Sequence, residues 1–218
     1  MTTTTDSDNW FLRRIMKLTH FEKWYINSPK HARQTERIAL TLFERIQMPP
    51  EPRCLEIGCG QGALARLLVE RYNAQVVASD YDPSQVTLAR ERLADIHKQV
   101  ESRVVDARAI PFAEAEFDAL FSFGVLHHIP GGWRKALAEI ARVLKPGGWF
   151  AFTDLVLAPL TGRLVRSLFP RLDQLEETAL HTSLTQNNLN LKHYAYDPEE
   201  SLAVLGLMNY CTAIACKA

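Results

Sequence analysis

The chain has 218 residues, 25 Lys plus Arg against 25 Asp plus Glu, 47% hydrophobic residues and a pI near 7.1. That is the size of one generous α/β domain, and zero formal charge gives no chain-wide attraction for a polyphosphate, so nucleic acid is not an expected partner. The start lacks the basic and apolar stretches of a secretory signal, the longest apolar tract is broken by Asp154 and Pro159, and Cys54, Cys59, Cys211 and Cys216 have no zinc-ligand spacing, so a cytoplasmic protein with reduced thiols and no metal is expected.

Residues 9 to 47 read as helical in two pieces, split near Asn27-Ser28-Pro29. In the first, Phe11, Ile15, Leu18, Phe21 and Tyr25 share one helical face, broadened by Trp10, Leu12, Met16 and Trp24 and surrounded by Arg13, Arg14, Lys17 and Lys23. Such a face suits a lid over an apolar acceptor, peripheral contact with a membrane, or packing on the domain's own core. Arg53 to Ile57 reads as a strand ending in a glycine turn, followed by a helix with Leu64, Leu67 and Leu68 on its inner side. A second strand, Gln75 to Ser79, leads to a helix capped by Asp82 with Pro83 at its first position and with Val86, Ala89, Leu93 and Ile96 inward.

A short third strand is expected at Ser102 to Val105, and the unbroken apolar run Phe117 to Phe123 reads as a strand covered on both faces. A helix over Gly132 to Leu144 follows, striped by Trp133, Leu137, Ile140 and Leu144 and ended by the Lys145-Pro-Gly-Gly148 turn before a strand at Trp149 to Thr153. Residues 155 to 190 are too long for an ordinary connection and read as an insertion that caps the substrate site, partly helical through Leu160, Leu164 and Leu168. The tail carries strands at Asn190 to Tyr196 and Asn209 to Lys217 around a short helix from Pro198. The alternation predicts a doubly wound, mostly parallel seven-stranded α/β sheet, Rossmann-like, with helices on both faces and an N-terminal helical extension. As one domain it divides into an extension (1 to 50), a cofactor-binding core (51 to 154), a cap (155 to 190) and C-terminal strands (191 to 218).

Ligands of open α/β sheets collect beyond the carboxyl ends of the strands, where the winding reverses. Gly58-Cys59-Gly60-Gln61-Gly62 stands at such an end, and Asp80 closes the second strand, where a carboxylate can accept both hydroxyls of a ribose. The spacing is Gly-x-Gly-x-Gly rather than the dinucleotide pattern Gly-x-Gly-x-x-Gly, and Glu56 just before it would repel a pyrophosphate. An acid there suits a ligand bearing an ammonium and a sulfonium, as S-adenosyl-L-methionine does.

On these residues the chain resembles the class I S-adenosylmethionine-dependent methyltransferases of the small-molecule, type 11 kind. Leu55 to Gly62 is similar to the family's first motif, Val77 to Ser84 to its ribose segment and Asp106 to Phe112 to its adenine segment. Phe117 to Ile129 and Ala141 to Gly148 resemble its fourth motif and the turn before strand five. The resemblance implies that the backbone of Gly58, Cys59, Gly60 and Gly62 wraps the methionine part of the cofactor and that Glu56 meets its ammonium. It implies that Asp80 holds the ribose and Tyr81 covers the adenine, that Asp106 and the Ala107 N–H read the adenine edge, and that Phe123 and Gly124 form the floor.

His128 lies where an acceptor enters and is the candidate base or acceptor contact; its bland reading is a polar residue bridging loop and helix, and His127 reads as structural. Arg163, Arg166 and Arg171 read as a solvated helix face. The function expected is methyl transfer to a small-molecule or lipid-like acceptor, against two rivals: a catalytically silent binding or activating member of the fold, and a nicotinamide-dependent oxidoreductase. Neither the acceptor atom nor the oligomeric state is written in these motifs.

Overall fold

The computed structural model describes residues 27–129, 131–157, 161, 167, 175–196 and 208–218. The first predicted helix, the Leu160 to Leu168 pattern and the short helix from Pro198 lie outside these residues. The elements are α1 (Pro29–Phe43), β1 (Arg53–Ile57), α2 (Ala63–Tyr72), β2 (Gln75–Asp80), α3 (Pro83–Arg92), β3 (Val100–Val104), β4 (Phe117–Phe123), α4 (Trp133–Val143), β5 (Leu144–Leu157), α5 (Glu177–Gln186), β6 (Leu189–Tyr196) and β7 (Met208–Lys217).

The strands form one seven-stranded sheet in the order β3-β2-β1-β4-β5-β7-β6. β1 pairs in parallel with both β2 and β4, β2 with β3 and β4 with β5, whereas β7 runs antiparallel between β5 and β6. The chain therefore starts in the middle, winds out to β3 and returns to β4, so the switch point lies between the ends of β1 and β4. β1 is buried from Cys54 through Ile57, and alternate residues feed two cores. Cys54, Ala78 and Phe121 face α1, α2 and α3; Leu55, Val77 and Leu120 face α4 and α5.

Ser28 caps α1 by accepting from the His31 N–H, and Pro29 opens the helix. Its second half, Ile38, Ala39, Leu42 and Phe43, is buried, with the Phe43 ring edge-on to Phe121 at 5.6 Å between centroids. The second piece of the expected extension thus belongs to the core. Asp82 caps α3 through the Ser84 N–H, as its sequence predicts, but that helix ends at Arg92 and Ile96 falls in a 3-10 turn with partial exposure.

Three differences from the expected elements have local causes. β5 begins at Leu144 rather than Trp149: Phe117 pairs with Leu144 and Ala119 with Trp149, so Lys145 to Gly148 form a bulge within the paired strand. Lys145 Nζ and the Arg53 N–H both donate to the Asp118 carboxylate, at 2.7 and 2.9 Å, and tie that bulge to β1. β5 also continues to Leu157 because β7 pairs along its whole length, as far as Met208. Finally, α5 occupies the end of the predicted cap, burying Leu180, Ser183 and Leu184. Among the described residues no helix is long and apolar enough to cross a membrane.

Candidate active site

A cavity of about 150 Å³ opens at the switch point. Its wall brings together Glu56, Gly58, Cys59, Gly60, Asp80, Tyr81, Asp106, Ala107, Phe123, Gly124 and His128, residues spread over four strand ends. Of the residues singled out from the sequence, Gly62 alone does not line it. Gly62 sits at φ +83°, ahead of α2, and a Cβ there would meet Leu93 Cδ1 at 2.6 Å. Its lack of a Cβ is needed for packing against Leu93, the residue just past α3. At Gly60 and Gly124 an added Cβ would meet nothing within 4 Å, so at these lining positions it would project into open space.

The loop holds Asp80 tightly. The Gly60 N–H donates to Asp80 Oδ2 at 3.1 Å and the Asp82 N–H to Oδ1 at 2.9 Å. Behind it, Ser79 Oγ donates to the Glu56 carbonyl at 2.7 Å and the Cys59 N–H to the Ser79 carbonyl at 2.8 Å, fixing β1 to β2 just where the cavity begins.

Glu56 is the unusual group. Burial, reinforced by the nearby Asp80 charge and only partly offset by a hydrogen bond from the Ala65 backbone, raises its carboxyl pKa to about 8. Its Oε2 is buried without a hydrogen-bond partner. A buried carboxyl in this state is neutral at pH 7 and ionises when a cation arrives beside it. Burial also pushes the Cys59 thiol well up, with Glu56 and Asp80 adding to it, so Cys59 lines the cavity as a neutral thiol.

Asp106 differs from the sequence expectation in its neighbours. Arg108 grips it through Nε at 2.9 Å and Nη2 at 2.7 Å, and its backbone N–H adds a third donor. Burial works against the ionised form, but these bonds outweigh it and hold the carboxyl below its usual range. An adenine amino group would share this carboxylate with Arg108.

His128 ends a 3-10 turn, Leu126–His128, and its ring lies on that of His127 with centroids 3.9 Å apart. His127 Nδ1 is 2.5 Å from Oδ1 of Asp154, which is fully buried and also accepts from the Leu126 N–H at 2.7 Å. Asp154 thereby fixes the whole turn that presents His128.

Sequence reasoning missed the fourth side of the cavity. His31, Ala32 and Thr35 of α1 line it as a short helical stripe. Gln61 Nε2 donates to the Ser28 carbonyl at 3.4 Å and sets the first turn of α1 against the glycine loop. The Ser28-Pro29 signal marks where this helix begins, but a stripe of one imidazole, one methyl and one hydroxyl has no hydrophobic signature to orient it.

The family profile described as "Methyltransferase domain" matches residues 55–152, the stretch that holds every lining residue of the cavity except the three on α1. Residues 55–152 resemble a methyltransferase domain. A curated relative of this domain, 27-O-demethylrifamycin SV methyltransferase of Amycolatopsis mediterranei (strain S699), is 31% identical over 142 residues, 64% of this chain and 52% of that protein. The chain spans about half the length of the curated relatives it matches. Among solved structures, geranyl diphosphate C-methyltransferase from Streptomyces coelicolor A3(2), in complex with Mg2+, geranyl diphosphate and S-adenosyl-L-homocysteine, superposes with a TM-score of 0.73 at 14% identity, covering 100% of both chains. The [4+2]-cyclase SpnF superposes with a TM-score of 0.69 at 22% identity, covering 85% of this chain and 80% of that one. The chain shares the fold of these neighbours, and its own sheet is mixed because β7 runs antiparallel between β5 and β6.

Proposed function

We propose that this chain transfers a methyl group from S-adenosyl-L-methionine to a small-molecule or lipid-like acceptor. The observation that carries the reading is the Glu56 carboxyl, buried with one oxygen unpartnered, at the cavity shared with Asp80 and the glycine loop. Those carboxyl acceptors fit an α-ammonium next to a ribose, and the cleared space at Gly60 and Gly124 admits a ligand against the backbone. When bound, the cofactor supplies an electrophilic methyl group on a sulfonium.

The residues of the chain do the rest. Glu56 ionises against the ammonium, Asp80 accepts from the ribose hydroxyls, and Asp106, shared with Arg108, orients the adenine edge with the Ala107 N–H. Tyr81 covers the ring, while Phe123 and Gly124 support the methionyl chain. His128 accepts the proton of the acceptor or a hydrogen bond from it, steadied by His127 and Asp154. Holding the acceptor in line supplies most of the acceleration, because the group displaced from the methyl carbon would be a neutral thioether.

Calorimetry with S-adenosylmethionine and S-adenosylhomocysteine tests the reading. Binding in the ~1 μM to 1 mM range is expected, and no heat with either at millimolar concentration overturns it. Nicotinamide dinucleotides should give none. The cyclase neighbour shows that the fold also serves other chemistry. Labelled cofactor incubated with a metabolite and lipid extract separates the two: transfer of label is expected, and a bound cofactor that never gives up its methyl would favour the silent reading.

A further inference from the structure

An α-amino acid brings its carboxylate to the same place as its ammonium. If Glu56 receives the ammonium of the cofactor, the carboxylate enters a wall that already holds Glu56, Asp80 and Asp106, and among the described lining residues there is no Lys or Arg. The remaining titratable groups of that lining are Cys59, Tyr81, His31 and His128. Of the two imidazoles, His31 belongs to the first turn of α1, whose cap Ser28 is tied to the glycine loop by Gln61, whereas His128 stands past the end of β4 in the 3-10 turn.

We infer that His31 is the residue that binds the carboxylate of the methionine moiety, taking up a proton as the cofactor enters, with the Thr35 hydroxyl beside it. This rests on the proposed cofactor. Burial lowers the imidazole below the ordinary histidine range, against the opposing hydrogen bond with Gln34 on its own helix. It is therefore neutral at pH 7 in the free protein, and an arriving carboxylate raises it, the exchange that makes a tuned proton acceptor. α1 is suited to the task because its other half is part of the core, with Ile38 and Leu42 buried, so the contact couples cofactor binding to the seating of the whole helix.

The test is calorimetric and needs no acceptor. Two probes are titrated: S-adenosylhomocysteine, and its decarboxylated analogue, which keeps the ammonium and lacks the carboxylate. His31→Ala should weaken the first by about ten- to a hundredfold, as loss of a hydrogen bond to a charged group does, and leave the second within about twofold. His31→Asn keeps a donor on the helix but cannot charge. Repeating the wild-type and His31→Asn titrations near pH 7 in buffers of different ionisation enthalpy counts protons. Glu56 releases one as His31 takes one up, so the variant should show more net release, by a fraction of a proton up to one.

Unchanged affinity of His31→Ala for S-adenosylhomocysteine would overturn the inference and leave the carboxylate to the N–H groups of the loop. An equal loss for both probes would overturn it too, by showing that His31 only supports the cavity. If neither probe binds the wild-type protein, the cofactor reading falls and this inference with it, an outcome distinct from the other two.

Discussion

Glu56 shows how one carboxyl can work against the fold and for the ligand. Its folded pKa lies above its unfolded value, so the neutral form is favoured by folding. The associated stability is fully present below the usual glutamate range and is lost as pH rises through about 8, a difference on the order of several kcal/mol. Glu56→Gln should therefore melt higher than wild type at pH 9 and nearly equal to it at pH 4, while its affinity for S-adenosylhomocysteine falls at least tenfold. A variant that melts lower than wild type at pH 9 would show that burying the ionised carboxyl carries no net cost. Asp154 is fully buried too, but its carboxyl oxygens meet the Leu126 and His127 N–H groups and the His127 ring. Asp154→Ala leaves these donors without their partner and should cost about 3–5 kcal/mol in urea unfolding, well beyond the effect of His128→Asn. His128→Asn should instead lower turnover on the identified acceptor and leave cofactor affinity nearly unchanged.

At the scale of elements, the first glycine motif separates into two functions that the sequence writes in the same letter. Gly60→Ala, at φ +49°, puts a methyl group into the cavity, and Gly62→Ala, at φ +83°, drives one into Leu93. Both carry the roughly 1–2 kcal/mol strain of a left-handed backbone. Only Gly60→Ala should also weaken S-adenosylhomocysteine, by an order of magnitude or more, whereas Gly62→Ala should be partly relieved in a Leu93→Ala background. Thermal melts and calorimetry on the three proteins decide this, and equal cofactor affinity for Gly60→Ala and wild type would place the ligand elsewhere. β1, β2 and β4 were legible because each is a short, mostly apolar run closed by turn residues, and β4 falls on the residues its hydrophobicity marks. The Lys145 to Gly148 bulge was not, since Lys-Pro-Gly-Gly in sequence reads as a turn, and only the pairing of Phe117 with Leu144 makes it part of β5.

For the whole molecule, the deepest thing the sequence withheld is the position of α1. Hydrophobic periodicity marks an inner face but not what that face meets, and nothing local says that a helix before β1 will close the cavity formed by four later strand ends. Its burial predicts a sharp limit to truncation. Removing residues 1 to 26 keeps every described lining residue, the first of which is His31, so the shortened chain should bind S-adenosylhomocysteine as the full chain does. The aromatic, basic stretch from Trp10 to Tyr25 goes with that deletion, and its proposed role at an apolar acceptor or a membrane predicts impaired methylation of such acceptors and weaker sedimentation with anionic lipid vesicles at low salt. Full activity on an apolar acceptor would end the lid reading. Removing residues 1 to 44 is a different operation, because it strips Ile38, Ala39, Leu42 and Phe43 from the core beneath Leu64, Leu68 and Phe121. Burial of Ile38, Leu42 and Phe43 is worth about 1.5–3 kcal/mol apiece, and together they approach the 5–15 kcal/mol that separates a domain of this kind from its unfolded chain. That shorter protein should lose its cooperative thermal transition and all cofactor binding. A cooperative melt retained after the larger deletion would show that α1 is a removable cover and that the cavity belongs to the sheet alone.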